Sequence, residues 1–323
     1  PWFEVAALTG SDRSVGQKYG EACRWVLSGP IPAYARDMVV VPSAPGFEAK
    51  IAFSALPSDQ AKEIEPALAH AGYAVCSNAS TCRMWEDVPL LIPEVNPDHT
   101  GLIEIQRKNR GWGGLIVTNP NCTSTGLTIA FRALHDAFGI RRAFIVSMQA
   151  LSGAGYPGVA SLDILDNVIP HIGGEEEKVE EEPRKMLGQF NGAGIDFAPF
   201  RLSAHTNRVA VSDGHLVVTS VEFDRDVSAQ QAAEALTGFS APPIVAGLPS
   251  APKPVIVLRT EADRPQPRRD RDEGGGMASI VGRLRPDPLF HIKFVNLSHN
   301  TIRGAAGGAI LNGELLVAQG WVK

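Results

Sequence analysis

Leu115-Ile116-Val117 runs through Thr118 into Asn119-Pro120-Asn121-Cys122-Thr123-Ser124-Thr125-Gly126, and a helical apolar pattern follows from about Leu127 to Phe138. The apolar triplet reads as a buried strand and the polar stretch as a turn, so Cys122 falls at a strand-to-helix junction. Upstream, Lys50 to Ala55 reads as a strand, Gln60 to Ala71 has apolar residues at helical spacing, and Tyr73 to Cys76 is strand-like again. Strand, helix, strand in that order predicts a parallel sheet with helices packed on it. Phe3 to Leu8 predicts one further short strand, followed by a polar loop from Thr9 to Gly16.

Downstream the pattern changes. β-branched runs at Ala143 to Met148 and Leu216 to Phe223 are separated by long polar insertions, which predicts a second domain with a mixed sheet. The acidic run from Glu175 to Glu182 reads as a solvated helix face. The segment from Glu261 to Gly276, dense in Arg, Asp, Pro and Gly, reads as a mobile surface loop. No internal repeat is found.

Composition limits the functions open to such a chain. Of 323 residues, 44% are hydrophobic and 20% charged, enough to bury the cores of two domains. A formal net charge of -5 leaves no electrostatic footprint for nucleic acid or an anionic membrane. A small-molecule partner is expected instead. No apolar run approaches the ~20 residues of a membrane span, and Pro1-Trp2-Phe3-Glu4 does not open like a secretory signal, so a cytoplasmic setting is expected. A start without Met implies further sequence upstream.

Cys23, Cys76, Cys82 and Cys122 show no C-x-x-C spacing, so neither a metal site nor a redox pair is expected. Cys122 differs from the other three by its place. Unpaired N–H groups and the helix dipole at a helix N-terminus stabilise a thiolate, which predicts a lowered pKa. Such a nucleophile needs an acid/base partner, and eight histidines are available. His215, after Gly214 and before a strong strand, is one candidate at a sheet edge; His135, on the helix after Cys122, reads as a surface residue.

Taken in order, Asn119 to Gly126, Gln149-Ala150-Leu151-Ser152-Gly153-Ala154-Gly155 and Arg208 to His215 resemble the active-site segments of aspartate-semialdehyde dehydrogenases, more specifically their archaeal and fungal branch. Phe53 to Asp59, Ser77 to Ser80 with Arg83-Met84, Ile92 to Asn96 and His299 to Gly307 extend the resemblance along nearly the whole chain. It implies an α/β fold: a Rossmann-type parallel sheet domain formed by 1–121 and 299–323, and an α+β catalytic and dimerisation domain with a mixed sheet, 122–298. It also implies NADPH-dependent reductive dephosphorylation of β-aspartyl phosphate by an enzyme assembled as a homodimer or homotetramer.

The resemblance places residues as well. Cys122 matches the nucleophile that forms a thioacyl enzyme, His215 the general acid/base, and Gln149 and Asn121 the polar groups orienting substrate and thiolate. The substrate carries an α-carboxylate, an α-ammonium and a phosphate. Arg208 matches the carboxylate fork, Arg83 and Lys185 the phosphate-binding cations, and Glu182 the acid facing the ammonium. Pro183, between Glu182 and Lys185, disfavours a helical Glu182.

For the cofactor, Ser11, Arg13 and Ser14 match the loop that recognises the 2′-phosphate of NADP. Ser54, Leu56, Ser77, Gly153, Asn300 and Gly304 match further NADP(H) contacts. The family's first strand, glycine-rich turn and first helix have no counterpart before Phe3, so weak or absent cofactor binding is expected of the chain as given. The nearest alternatives are a related acyl-phosphate or acyl-CoA reductase, or an inactive scaffold without cofactor; an N-acetylated substrate would need no acid at Glu182.

Overall fold

Three parallel strands, β1 (Ile51–Ser54), β2 (Ala74–Ser77) and β3 (Leu115–Thr118), form one sheet in that order, in a computed structural model that describes residues 2–323. Pro1, where the expected signal-free opening begins, lies outside the described residues. Helix α1 (Ser58–His70) covers one face, where Leu68 and Ala69 pack on Val75 and Ile116. Ala74, Cys76, Leu115 and Val117 point to the other face and meet Ile103 of α2 (Leu102–Arg110). Burial on both faces explains why these strands read as unbroken apolar runs rather than alternating ones.

The helix after β3, α3 (Cys122–Phe138), begins at Cys122 itself rather than near Leu127. Asn121 caps it, its side-chain oxygen accepting the N–H groups of Thr123 at 2.8 Å and Ser124 at 3.2 Å. The Thr-Ser-Thr-Gly turn carries no apolar stripe, which is why periodicity missed it; burial of the whole turn holds it helical.

Beyond α3 lies a six-stranded mixed sheet. Its members are β4 (Ile140–Gln149), β5 (Arg201–Arg208), β6 (His215–Phe223), β7 (Ile256–Leu258), β8 (Ser279–Pro286) and β9 (Ile292–Ser298), in the order β7-β8-β9-β6-β4-β5. Helix α3 lays Leu127 and Phe131 against Ile145, Val217 and Phe294 of this sheet, so one helix belongs to the main core and also carries the nucleophile. The chain closes with helix α5 (Gly307–Ala318), whose Ala309 and Leu316 return to pack on the first sheet. This is the two-domain α/β architecture expected, with a Rossmann-like parallel sheet and a separate mixed sheet.

Four local expectations are corrected. Residues 3–8 form no strand: ladder bonding begins at Leu8, whose carbonyl accepts the Val41 N–H, and Thr9–Gly10 pairs with Val41–Pro42. A cleft of about 770 Å³ lies between them and β1, and Phe3 reaches across it, its ring 5.7 Å from that of Phe53.

The segment 261–276 is not a mobile loop. Its Asp270 is fully buried and pairs with Arg259 and Arg264, and the short helix Pro267–Asp270 carries it inward. Charge density in the sequence concealed a buried ionic anchor.

The acidic run is a solvated face only in part: Glu177 and Glu181 are exposed, but others turn inward. It forms α4 (Glu175–Met186), with Glu175 and Glu182 buried. Glu176 and Glu180, one turn apart, accept the main-chain N–H groups of Thr206 and Ala204 on β5, the strand at the sheet edge. Finally, α4 continues through Pro183 and keeps Glu182 helical. Burial of Val179, Glu182, Lys185 and Met186 on one side overrides the local penalty.

Candidate active site

Strand register brings distant residues together. Gln149 at the end of β4 pairs with Arg208 at the end of β5, and Leu216 pairs with Met148, which sets His215 beside Gln149. These three side chains emerge at one end of the mixed sheet, opposite the N-terminus of α3. Cys122 Sγ lies 3.2 Å from His215 Nε2.

The other imidazole nitrogen settles the tautomer. His215 Nδ1 accepts the Ala150 N–H at 3.1 Å, so in the neutral ring the proton sits on Nε2 and faces the sulfur. His215 is buried, and desolvation, reinforced by the Arg208 charge, lowers its pKa to about 3. Cys122 departs from the expected low-pKa thiol. Desolvation first, then the Glu175 carboxylate, push it up to about 12, while Arg83 and Arg208 pull the other way. Although Cys122 is only half-buried by surface area, its surroundings are protein rather than bulk water, and desolvation is the largest cause of the shift.

Glu175 is the residue that sequence reasoning missed. Its Oε1 accepts from Asn121 Nδ2 at 2.8 Å, Gln149 Nε2 at 2.9 Å and Thr123 Oγ1 at 3.4 Å. It therefore ties the helix cap to the end of β4. Its only signal was the acidic run, which reads as surface.

Arg208 is buried and donates through Nη1 to the Ala150 carbonyl at 2.7 Å, and the same Nη1 shares the surroundings of Gly153 with the His215 ring. Arg83 donates to Glu182 Oε1 at 3.0 Å and to the Asn78 carbonyl at 2.9 Å. The expected roles of Glu182 and Lys185 look different in this geometry. Glu182 is fully buried and commits both oxygens, one to Arg83 and one to the Asn121 N–H. Lys185 donates to the carbonyls of Arg83, Trp85 and Val88, and its burial lowers its pKa to about 8. Both side chains brace Arg83 and its loop instead of offering a free face.

The remaining predicted residues form a second tier. Gly153 lies against the Arg208–His215 pair: an added Cβ would sit 2.7 Å from Arg208 Nη1. Gly304 lies against the nucleophile, where a Cβ would sit 2.7 Å from that of Cys122. Asn300 joins the two loops around His215, accepting the Gly214 N–H and donating to Ser152 Oγ, each at 2.8 Å. Ser54 and Ser77 pair at the carboxyl ends of β1 and β2, and Leu56 follows β1 at the cleft wall. Ser11, Arg13 and Ser14 form a turn closed by the Ser14 N–H to Ser11 carbonyl bond at 2.8 Å, with Ser11 and Arg13 exposed and Ser14 half-buried.

Behind Gly304, Arg303 and Glu94 form a fully buried bidentate pair at 2.7 and 2.6 Å, which anchors the turn Ile302–Ala306 through its own Arg303. Asn119 holds the neighbouring Ala305 carbonyl at 2.7 Å. The wall next to Cys122 is therefore fixed from both sides. Among the described residues, no group of three or more His, Cys, Asp or Glu side chains could hold a metal, and no helix is long and apolar enough to cross a membrane.

Comparison with known proteins matches this arrangement to one family. The semialdehyde dehydrogenase NAD binding domain matches residues 1–103, and the semialdehyde dehydrogenase dimerisation domain matches residues 131–303. The chain is 55% identical to an aspartate-semialdehyde dehydrogenase of Archaeoglobus fulgidus, over 99% of this chain and 92% of that protein. It is 40% identical to a malonyl CoA reductase (NADP) of Metallosphaera sedula, over 100% of this chain and 92% of that protein. The crystal structure of aspartate semialdehyde dehydrogenase with NADP from Candida albicans superposes with a TM-score of 0.91 at 39% identity, covering 99% of this chain and 93% of that one. A cysteine–histidine pair between a parallel and a mixed sheet, sequence identity along almost the full length and both family domains lead to one conclusion: the chain belongs to the aspartate-semialdehyde dehydrogenase family.

Proposed function

We propose that this chain catalyses the NADPH-dependent reductive dephosphorylation of β-aspartyl phosphate to aspartate semialdehyde, a step toward amino acids of the aspartate group. The observation that carries the reading is the Cys122 Sγ to His215 Nε2 contact of 3.2 Å between two buried guanidinium groups, Arg208 and Arg83. A dianionic substrate with an electrophilic carbon between its charges fits that spacing of functions.

Arg208 takes the α-carboxylate and Arg83, braced by Glu182 and Lys185, the phosphate. Cys122 Sγ bonds to the acyl carbon, the carbon–oxygen bond to phosphate breaks, and the thiol proton leaves on the departing phosphate. Asn121 and Gln149 hold the resulting thioacyl group in place. When bound, NADPH supplies the hydride that reduces the thioacyl carbon. His215 Nε2–H faces first the sulfur and then the oxygen that gains charge; to transfer a proton fully it must release the Ala150 N–H and take up a proton on Nδ1. Collapse of the hemithioacetal breaks the carbon–sulfur bond and forms the aldehyde; the hydroxyl proton passes back to His215 Nε2 while Nδ1 returns its proton to solvent, and Cys122 leaves as thiolate and regains its own proton from solvent.

Features of the chain suit the cofactor. Gly304 and Gly153 leave room beside Cys122 and Arg208 that a Cβ would fill, and the buried Ser54 Oγ has no partner. With Leu56, Ser77 and Asn300 these residues would hold the dinucleotide, and Ser11, Arg13 and Ser14 its 2′-phosphate. We assign 1–121 with 299–323 to the cofactor domain and 122–298 to catalysis and dimerisation, in a cytoplasmic homodimer or homotetramer. The direct test is phosphate-dependent reduction of NADP with aspartate semialdehyde, followed by absorbance. No reduction, or reduction that does not depend on phosphate, removes the proposal.

A further inference from the structure

The connection 209–214 straddles the end of β4, because its flanking strands, β5 and β6, pair with β4 on either side. It carries Arg208 at one end and His215 at the other, so its shape sets how the two stand to each other. One set of bonds reaches it from the loop after β4: the Leu151 N–H donates to the Val211 carbonyl at 2.7 Å and the Ser152 N–H to that of Ser212 at 3.1 Å. A second comes from the charged segment that folds inward at Asp270. Arg271 donates through Nη1 to Ser212 Oγ at 3.0 Å and to the Asp213 carbonyl at 3.1 Å.

Packing gives the same contact independently. Gly214 has a φ of +95°, and a Cβ added there would lie 3.3 Å from the Cβ atoms of both Arg271 and Pro267. The segment therefore presses on the residue just before His215. Arg271 can hold its place because its neighbour is anchored. Asp270, fully buried, accepts from Arg259 Nε at 3.1 Å and from Arg264 Nε and the Gln266 N–H, each at 2.6 Å. The Arg259 N–H in turn donates to the Val281 carbonyl of β8 at 2.7 Å. A row of fixed groups thus runs from the mixed sheet through Asp270 to Asp213. We infer that Arg271 is a positioning residue for His215: by holding Ser212 and Asp213 it seats the imidazole against Cys122 Sγ. This rests on the functional reading above. Arg208 is secured separately, by its pairing with Gln149 and its bond to the Ala150 carbonyl, so the effect of Arg271 falls on turnover rather than on substrate binding.

Steady-state kinetics of phosphate-dependent NADP reduction and the 15N signals of the His215 ring test this together. Arg271→Ala should lower kcat about 10-fold or more with KM for aspartate semialdehyde kept, part of the ~100-fold that a misplacement of about 1 Å can cost. Arg271→Lys, whose ammonium can donate to both oxygens, should restore most of the loss. Arg269→Ala removes an exposed guanidinium two residues away and should change neither constant. If Arg271→Ala does not fold, Ser212→Ala takes its place and should show a smaller fall in kcat, again with KM kept. In the free protein the ring should hold its proton on Nε2, and that single preference should be lost in Arg271→Ala or weakened in Ser212→Ala. An unchanged kcat, a loss carried by KM, a lysine variant as slow as the alanine one, or an unchanged ring signal overturns the inference. A wild type without phosphate-dependent reduction removes the functional reading; the ring signal then still decides whether Arg271 seats His215.

Discussion

His215 turns its protonated Nε2 toward Cys122 Sγ, 3.2 Å away, because Ala150 occupies Nδ1 with a main-chain N–H. The imidazole of this arrangement is a donor to sulfur rather than a base waiting for the thiol proton. Replacing it by Asn preserves size and a donor but not the relay. His215→Asn should lower kcat by about 10²–10⁴-fold with KM for aspartate semialdehyde nearly kept; steady-state kinetics that leave kcat unchanged would remove His215 from the mechanism. Cys122→Ala should abolish turnover, and Cys122→Ser should leave at most a trace, since a hydroxyl is far less acidic than a thiol.

The protonation of Cys122 has a direct readout. With its pKa pushed up to about 12 by burial and by Glu175, and offset only in part by Arg83 and Arg208, the thiol is protonated at neutral pH. Thiolate, the reactive form, grows about tenfold per pH unit below the pKa. Iodoacetamide alkylation of Cys122 in the free protein should therefore climb through pH 9 without levelling. Glu182, also facing the thiol, acts in the same direction as Glu175, and His215 stays neutral throughout because its pKa lies near 3. A plateau below pH 8 would contradict this account.

Arg208 is a fork held at one prong by the Ala150 carbonyl. Arg208→Lys keeps the charge but loses the planar geometry, which should cost about 1.5–3 kcal/mol of substrate binding, roughly 10–150-fold in KM. Unchanged KM in the lysine variant would mean that the carboxylate is bound elsewhere.

Glu94 and Arg303 illustrate how little of such a site is local. Glu94→Ala leaves an uncompensated guanidinium in the interior and should destabilise the fold by about 3–5 kcal/mol, read by urea denaturation. The double replacement Glu94→Leu with Arg303→Met should recover most of that loss. A single variant as stable as wild type would show the pair to be dispensable.

How much of this was legible in the sequence depends on the distance over which each feature acts. Cys122 at a strand end, with Asn121 before it, is a local pattern and could be read directly. His215 could be read only as one candidate among eight histidines, because the β4–β6 register that seats it beside Gln149 is a long-range fact. The ion pair between Glu94 and Arg303, like the bracing of Arg83 by Glu182, joins residues far apart in the chain and leaves no periodic trace. Glu175 and Asp270 were concealed for a different reason. Each sits in a run of charged residues, and composition cannot distinguish the one that turns inward from its solvated neighbours.

Glu176 and Glu180 do for β5 what a seventh strand would do: they occupy alternate N–H groups along the sheet's outer margin. An unsatisfied margin of that kind is a template on which another chain can add a strand, the usual beginning of fibrous association. Here an incoming backbone would have to displace two carboxylates already bonded in place. Growth of the sheet by edge addition is thus blocked on that side.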